Sequence, residues 1–335
     1  MARTRGKRKQ TRKAKSKKLE MTQRFLYYEL DVGSSSSADS FRLDLAAGMS
    51  ALNRRLYRQG RNYHIANVSV IDSSGGLNSA SFCTLPQTWT TQKAWNLMFD
   101  AWKDQRSRTL ENAPNYVTGR WSDFKVWFDQ QHLEEALSDE THTKGGILPV
   151  GSDDDLIPGG EWEISDISTV INGAEYANYP LWMLGDHDYE NGDLDKRGFG
   201  VCKALEEMLQ QPPESPVLPA DFKNSIILSM NPSTGADMAD DILKNISGDN
   251  DQPPYDKLAV IGAAHTNTAS QSFRVRDVGW ATGSKGIASL PTMGFPVPLG
   301  LLECRFEWGT TNPGKIGIAI ELVPGTYKGV HAEAF

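Results

Sequence analysis

The chain has 335 residues, 35 of them Lys or Arg against 42 Asp or Glu, with six His and three Cys, for a net charge of −7. That total conceals a sorting: residues 1–24 hold eleven basic residues and one acid, whereas the remaining 311 carry 24 basic against 41 acidic. No stretch reaches the roughly 20 apolar residues of a membrane span. The first apolar segment, 25–32, is broken by Glu29 and Asp31 and does not read as a signal peptide, so a soluble, unsecreted protein is expected.

The arm comes first. Arg3, Arg5, Lys7, Arg8, Lys9, Arg12, Lys13, Lys15, Lys17 and Lys18 make ten of the first eighteen residues basic, and Leu19 is the first large apolar side chain. Such a run cannot bury enough surface to offset chain entropy, so residues 1–24 are expected to be a disordered arm whose natural partner is a polyanion. The arm has no aromatic residue before Phe25, which points to electrostatic binding indifferent to base sequence. Lys7-Arg8-Lys9 and Lys17-Lys18 are also readable by a nuclear import receptor.

Residues 25–32 read as a strand, followed by the Gly33 to Ser37 break. Phe41, Leu45, Met49, Leu52 and Leu56 recur at helical spacing, which predicts an amphipathic helix over 40–58 with Ser40 as its N-cap. If that helix extends to Arg61, then Arg54, Arg58 and Arg61 share one face of it. Residues 63–72 and 79–85 read as strands. Trp95, Phe99 and Trp102 mark one face of a helix over 91–106, and Phe124, Val126 and Phe128 alternate as in a strand. Between 139 and 195 stand fourteen acids and a single base, Lys144, among Gly, Pro and Asp clusters, a composition expected of loop-rich surface. A short helix is predicted over 201–209, ended by the proline-rich 211–219. In the last third, Phe273/Val275, then Leu302/Cys304/Phe306/Trp308, then Ile316/Ile318/Ile320/Leu322 alternate with polar or small residues, the period of antiparallel strands. Asn312-Pro313-Gly314-Lys315 suits a type II turn, which predicts a hairpin over 302–322.

No catalytic constellation assembles. There is no GxGxxG and no GxSxG, and Gly279 to Gly286 lacks the GK[ST] register of a phosphate loop. The six histidines lack a metal-ligand spacing such as HExxH, and Cys83, Cys202 and Cys304 support neither a disulfide framework nor a zinc site; the cysteines are expected to be small buried hydrophobes. The run from Asp186 to Asp195 alternates oxygen donors like a calcium loop, but its glycine falls at the seventh position and no Glu stands at the twelfth, so it is not an EF-hand. Asp186 and Asp188 remain candidate ligands for Ca2+ at a subunit contact, with a solvated acidic surface as the favoured alternative; no other cofactor and no enzyme activity are expected.

A cationic arm on an acidic antiparallel β body is the organisation of an icosahedral viral coat. The basic N-terminus, Leu43-Asp44-Leu45 through Asn53-Arg54-Arg55-Leu56-Tyr57-Arg58-Gln59-Gly60, Leu85-Pro86-Gln87-Thr88-Trp89 with Ala94-Trp95, and Pro324-Gly325-Thr326-Tyr327-Lys328-Gly329 resemble capsid proteins of small single-stranded DNA viruses of the environmental circular-genome groups, whose coats are similar to those of nodaviruses and tombusviruses. The resemblance implies a mainly β fold, an antiparallel jelly-roll sandwich with helical embellishments in its loops. The shell domain would be split into 25–138 and 221–335 by an acidic insertion or projection at 139–220, with a double jelly roll as the alternative. It also implies self-assembly into a shell in the virion and packaging of genomic single-stranded DNA by the arm residues, with a host receptor that the sequence does not name and no membrane partner. Arg54 and Arg58 are further candidate contacts from their helical spacing, with a face that merely meets water as the equal alternative, and the basic motifs allow passage through the host nucleus. The segment from Asp139 to Asp195 is expected on the outer surface. A cellular nucleic-acid-binding protein with a basic tail and a lectin-like β-sandwich are the competing classes.

Overall fold

The computed structural model describes residues 21–32, 38–72, 77–111, 123–138, 147–151, 164–169, 177–188, 197–209, 262–263, 272–279, 288–309 and 313–335. The arm positions Arg3 to Lys18 lie outside these residues, as do 139–146, 152–163, 170–176 and 189–196 of the acidic segment.

The first half of the chain forms β1 (Phe25–Asp31), β2 (Ala38–Asp44), α1 (Leu45–Asn53), β3 (Arg61–Asp72), β4 (Leu77–Thr84), α2 (Trp89–Leu110) and α3 (Gln130–Ser138). Then come β5 (Asp166–Thr169), β6 (Ala177–Trp182), β7 (Phe199–Gly200) and α4 (Val201–Leu209). The C-terminal part supplies β8 (Phe273–Gly279), β9 (Ala288–Val297), β10 (Leu301–Trp308) and β11 (Lys315–Leu322), and closes with the short β12 (Pro324–Gly325), β13 (Gly329–Val330) and β14 (Ala332–Ala334).

Two antiparallel sheets organise these elements. One runs β1, β11, β3, β9, with β14 taking over the β11 edge of β3 at Tyr63; the other runs β2, β10, β4, β8. Period-two alternation sets their inner faces. Leu26, Tyr28 and Leu30 of β1 lie opposite Ile320, Ile318 and Ile316 of β11, and Leu43 of β2 lies opposite Leu302 of β10. These side chains join Val68 and Val70 of β3, Phe82 of β4, Phe295 of β9 and Phe306 of β10 in one buried cluster. Phe82 and Phe295 meet across the two sheets with ring centroids 6.3 Å apart. Strands before residue 138 and after residue 221 therefore enclose a single core.

A second cluster sits at the ends of these strands. Trp95 of α2, Phe124, Val126 and Phe128 of the following segment, Leu181 of β6 and Val201, Cys202 and Leu205 of α4 pack with Leu85, Leu299 and Leu301. The described part of the acidic segment is thus not all loop: β5 pairs with β6, β6 pairs in parallel with β7, and Trp182 is fully buried. The predicted helix over 201–209 is α4. Cys83, Cys202 and Cys304 are free and buried, as their composition suggested.

Five local expectations are corrected. Ser40 is not a helix cap and Phe41 is not in a helix: both lie in β2, opposite Arg305 and Cys304 of β10. Asp44 is the cap instead, its Oδ1 accepting from the N–H groups of Ala46 (2.8 Å) and Ala47 (3.0 Å). The helix ends at Asn53, and Arg54 takes the left-handed conformation at φ 53°. Arg54, Arg58 and Arg61 consequently do not share a helical face, and Arg61 opens β3. The predicted hairpin over 302–322 does not form either: β10 pairs with β2 and β4, whereas β11 pairs with β1 and β3, so the Pro313-Gly314 connection crosses from sheet to sheet. Residues 123–128 make a single bridge, Trp127 to Trp182, in place of a strand, and Lys125 and Trp127 are buried along with the three apolar positions. On β8 the alternation is misleading, because Phe273 is 60% exposed.

The outer face of the second sheet is covered by α3 through charge. Arg42 of β2, only 3% exposed, donates to Asp129 Oδ2 (3.2 Å), Gln131 Oε1 (2.7 Å) and Glu135 Oε1 (2.5 Å), and lies 3.7 Å from Glu303 of β10. Arg305 donates from Nε to Glu303 Oε1 at 2.9 Å. Burial raises the Glu135 carboxyl to about 7 against the pull of Arg42. Burial likewise drives the His132 imidazole down to about 3, so that it stays neutral and its Nδ1 accepts from the Phe128 N–H at 3.2 Å.

Candidate nucleic-acid interface

The loop joining α1 to β3 carries three arginines in a row of buried anchors, and the alternation explains both the order of the loop and the direction of its charges. Asn53 donates to the Met49 carbonyl at 3.1 Å, ending the helix. Tyr57 is fully buried, with its Oη donating to the Lys328 carbonyl at 2.8 Å. Gln59 is also fully buried and makes three hydrogen bonds: Nε2 donates to Asp44 Oδ2 (3.1 Å) and the Val126 carbonyl (2.9 Å), and Oε1 accepts from the Val126 N–H (2.7 Å). Gly60 lies under Trp95, where a Cβ would come within 3.1 Å of the indole. Between these anchors Arg54, Arg55 and Arg58 are exposed.

The C-terminal turn completes the patch. β12 and β13 pair around Thr326 to Lys328, with Lys328 at φ 49° and Gly329 at φ 95°. Tyr327 Oη accepts from the Arg58 N–H at 3.0 Å, and the Arg61 guanidinium stacks 3.8 Å over the Tyr327 ring. The Lys328 ammonium donates to the Leu56 carbonyl and lies 5.6 Å from both the Tyr57 and Tyr327 rings. Its pKa is lowered, first by burial and then by the like charges of Arg58, Arg61 and Arg55, with Asp123 opposing. Asp123, itself raised mainly by burial, faces Lys125, Arg58 and Lys328. Crowded cations of this kind gain from an incoming anion, and guanidinium and ammonium groups suit phosphate oxygens.

The path of the chain toward the arm runs past this patch. The Thr22 hydroxyl donates to the Lys328 carbonyl at 2.9 Å, the Gln23 N–H donates to Asn53 Oδ1 at 2.8 Å, and Asn53 Nδ2 returns a bond to the Gln23 carbonyl at 2.9 Å. Residues 22 and 23 are therefore held between the end of α1 and the Tyr327-Lys328 turn, beside this basic patch.

Of the residues expected to contact nucleic acid, Arg54 and Arg58 stand in this patch and the ten arm residues lie outside the described structure. Sequence reasoning missed the part played by Arg55, Tyr327 and Lys328. The motifs containing them were visible, but only the pairing of β14 with β3 and the β12–β13 turn bring positions 54–61 and 327–328 together. The candidate calcium ligands sit elsewhere. Asp186 Oδ1 accepts from the His187 N–H at 2.8 Å and lies 4.0 Å from Lys203 Nζ, while Asp188 Oδ2 accepts from Gln130 Nε2 at 2.5 Å. Among the described residues no third histidine, cysteine or carboxylate joins them in a ligand set.

Comparison of the chain with protein-family models, with curated proteins and with solved structures finds no match.

Proposed function

We propose that the protein is a viral capsid protein that assembles into an icosahedral shell and packages single-stranded nucleic acid with its basic arm. The observation that carries the reading is the fixing of residues 22–23 against Asn53 and Lys328, which ties the end of the strongly cationic segment 1–24 to a surface that gathers Arg54, Arg55, Arg58, Arg61 and Lys328. A jelly roll is the fold this reading calls for, and the strand order favours it. Counting the eight long strands of the two sheets in chain order, one sheet takes the first, eighth, third and sixth, and the other the second, seventh, fourth and fifth. That interleaving results when a long antiparallel ribbon wraps on itself as two Greek keys. The shared core of β1 to β4 with β8 to β11 favours one such unit over two.

Two measurements test the reading. Electron microscopy of the purified chain should show closed shells, which neither a cellular nucleic-acid-binding protein nor a lectin-like sandwich would form. Deletion of residues 2–18 should abolish packaging while the body stays folded. Each phosphate neutralised on a single strand contributes about −0.7 to the slope of log K against log[salt], so ten arm contacts supply at most about −7 and Arg54, Arg55, Arg58 and Lys328 about −3. The truncated chain should keep only the smaller slope, and charge reversal of the three arginines should remove it. Undiminished nucleic acid in particles of the truncated chain would overturn the role of the arm, and a flat salt response would overturn the patch.

A further inference from the structure

On the outer face of the first sheet the fold brings together two histidines that are far apart in sequence. His64 lies in β3 and His331 just before β14. The His64 N–H donates to the His331 carbonyl at 3.3 Å, so the backbone ladder fixes their spacing. The two rings stand 4.5 Å apart between centroids, tilted by 54°. Glu333, on the same face two residues further along, places Oε1 3.5 Å from His331 Nε2. One ring nitrogen from each histidine and a carboxylate oxygen of Glu333 all lie within 4.8 Å of one another. Two buried polar atoms in this corner lack a hydrogen-bond partner: His64 Nε2 and Oδ1 of Asn62, which sits directly across from Glu333 in the β3–β14 register.

We infer that His64, His331 and Glu333 form a binding site for a divalent transition metal of the zinc class, with Asn62 as the neighbouring oxygen donor. The donor set decides the metal. Two imidazoles and one carboxylate are the ligands of Zn2+ and its neighbours, whereas Ca2+ takes six to eight oxygens. The distances fit as well. Zinc bonds of about 2.0–2.2 Å in tetrahedral geometry put neighbouring ligand atoms about 3.3 Å apart. The His331–Glu333 pair is already at 3.5 Å, and Glu333, whose side chain is 63% exposed, is free to swing inward. Because His64 sits in β3 and the His331 backbone is hydrogen-bonded to His64 and Val323, closing the site requires side-chain rotation and no change of backbone. Three protein ligands leave the fourth position of a tetrahedral ion open to water or a further donor.

Isothermal titration of ZnCl2 into the metal-free full chain, in a non-chelating buffer, tests this directly. One equivalent should bind with micromolar or tighter affinity, and His64→Ala and His331→Ala should each weaken it at least tenfold, while His187→Ala, outside the site, should leave it unchanged. Should the alanine variants fail to fold, the wild-type chain still gives an answer: Zn2+ should shift the ring resonances of His64 and His331 selectively, and Co2+ should give the intense visible absorption of a tetrahedral ion. Absence of saturable Zn2+ binding, equal binding by all the variants, or ring resonances that do not respond would overturn the inference. None of these outcomes depends on whether the protein assembles or binds nucleic acid.

Discussion

Gln59→Leu should destabilise the protein severely, and more so in mild alkali than in mild acid. Leucine fills nearly the same volume, so the change removes hydrogen bonds with little loss of packing. The wild-type amide satisfies the Val126 N–H, the Val126 carbonyl and Asp44 Oδ2, all within 3.1 Å and out of contact with water. A buried polar group stranded by loss of its partner costs about 1–3 kcal/mol, so the two Val126 groups together should cost about 2–6 kcal/mol, a large share of the 5–15 kcal/mol typical of a folded protein. Asp44 adds the pH dependence. Burial lifts its carboxyl from 3.8 to about 7, even though the Ala47 and Ala46 N–H groups and Gln59 favour its charged form. An acid whose folded pKa is raised binds more protons folded than unfolded, so stability falls as pH climbs toward the folded pKa. Removing a donor to the carboxylate raises that pKa further and extends the loss to higher pH. At pH 5 Asp44 is protonated in both proteins; at pH 8, one unit above the wild-type carboxyl at about 7, the variant should lose up to about 1.4 kcal/mol more. Urea unfolding at the two pH values measures both quantities. A loss below about 1 kcal/mol, or an equal loss at pH 5 and pH 8, would refute the reasoning, because it would mean that water reaches these groups.

Other outcomes follow from the same geometry. Glu135, raised by burial from 4.5 to about 7, takes up a proton on folding in that window. Wild type should therefore lose stability relative to Glu135→Gln as pH rises from 5 to 7.5, by at most about 1.4 kcal/mol per pH unit, and a pH-independent difference in unfolding free energy would contradict this. Trp182→Ala should cost about 3–5 kcal/mol, since the ring is fully buried and its Nε1 donates to the Asp186 carbonyl at 3.0 Å. Trp102→Ala, on a half-buried ring packed on Phe124, should cost about 1–2 kcal/mol, and thermal melts giving the reverse order would show that the second core is misread. In assembled particles, limited proteolysis should cut within 145–195 and spare the arm; early loss of the arm with the acidic segment protected would invert the proposed orientation.

Much of the fold was legible because period-two alternation is a local property. The strands at 25–31, 61–72, 77–84, 301–308 and 315–322 lie within a few residues of their sequence reading, and in the last two the alternation also pointed to the inward face. Partnership is not local. The alternation in 302–308 and 316–322 is compatible with mutual pairing or with membership of opposite sheets, and the Pro-Gly connection serves both. The stripe from Phe41 to Leu56 held over Leu45, Met49 and Leu52 but overran α1 at both ends: positions four apart lie on one side of a helix and also on one side of a strand, so Phe41 fitted both until Asp44 supplied the cap. The basic half of the candidate interface could be read from charge, but Tyr327 and Lys328 had no visible tie to Arg58. His64 and His331 were equally opaque, since a ligand set assembled across a strand pair leaves no spacing rule in the sequence.

The neighbours of β11 have a consequence for how the protein matures. β1 and β11 are adjacent in space although Phe25 pairs with Glu321, and β2 is joined to β4 only through β10. Neither sheet closes until strands close to the C-terminus have been made, so folding is dominated by distant contacts and should be slow. During synthesis, the first strands wait with unpaired edges exposed, a state prone to aggregation. The same delay governs the cationic surface, because Tyr57, Arg58 and Arg61 acquire their partners from Tyr327, Lys328 and Ala332. A nascent chain can trail its basic arm through a cell full of RNA, but the surface at its base is organised only after translation has passed residue 332. Under the proposed function, synthesis therefore sets a clock on when arm and patch can act together.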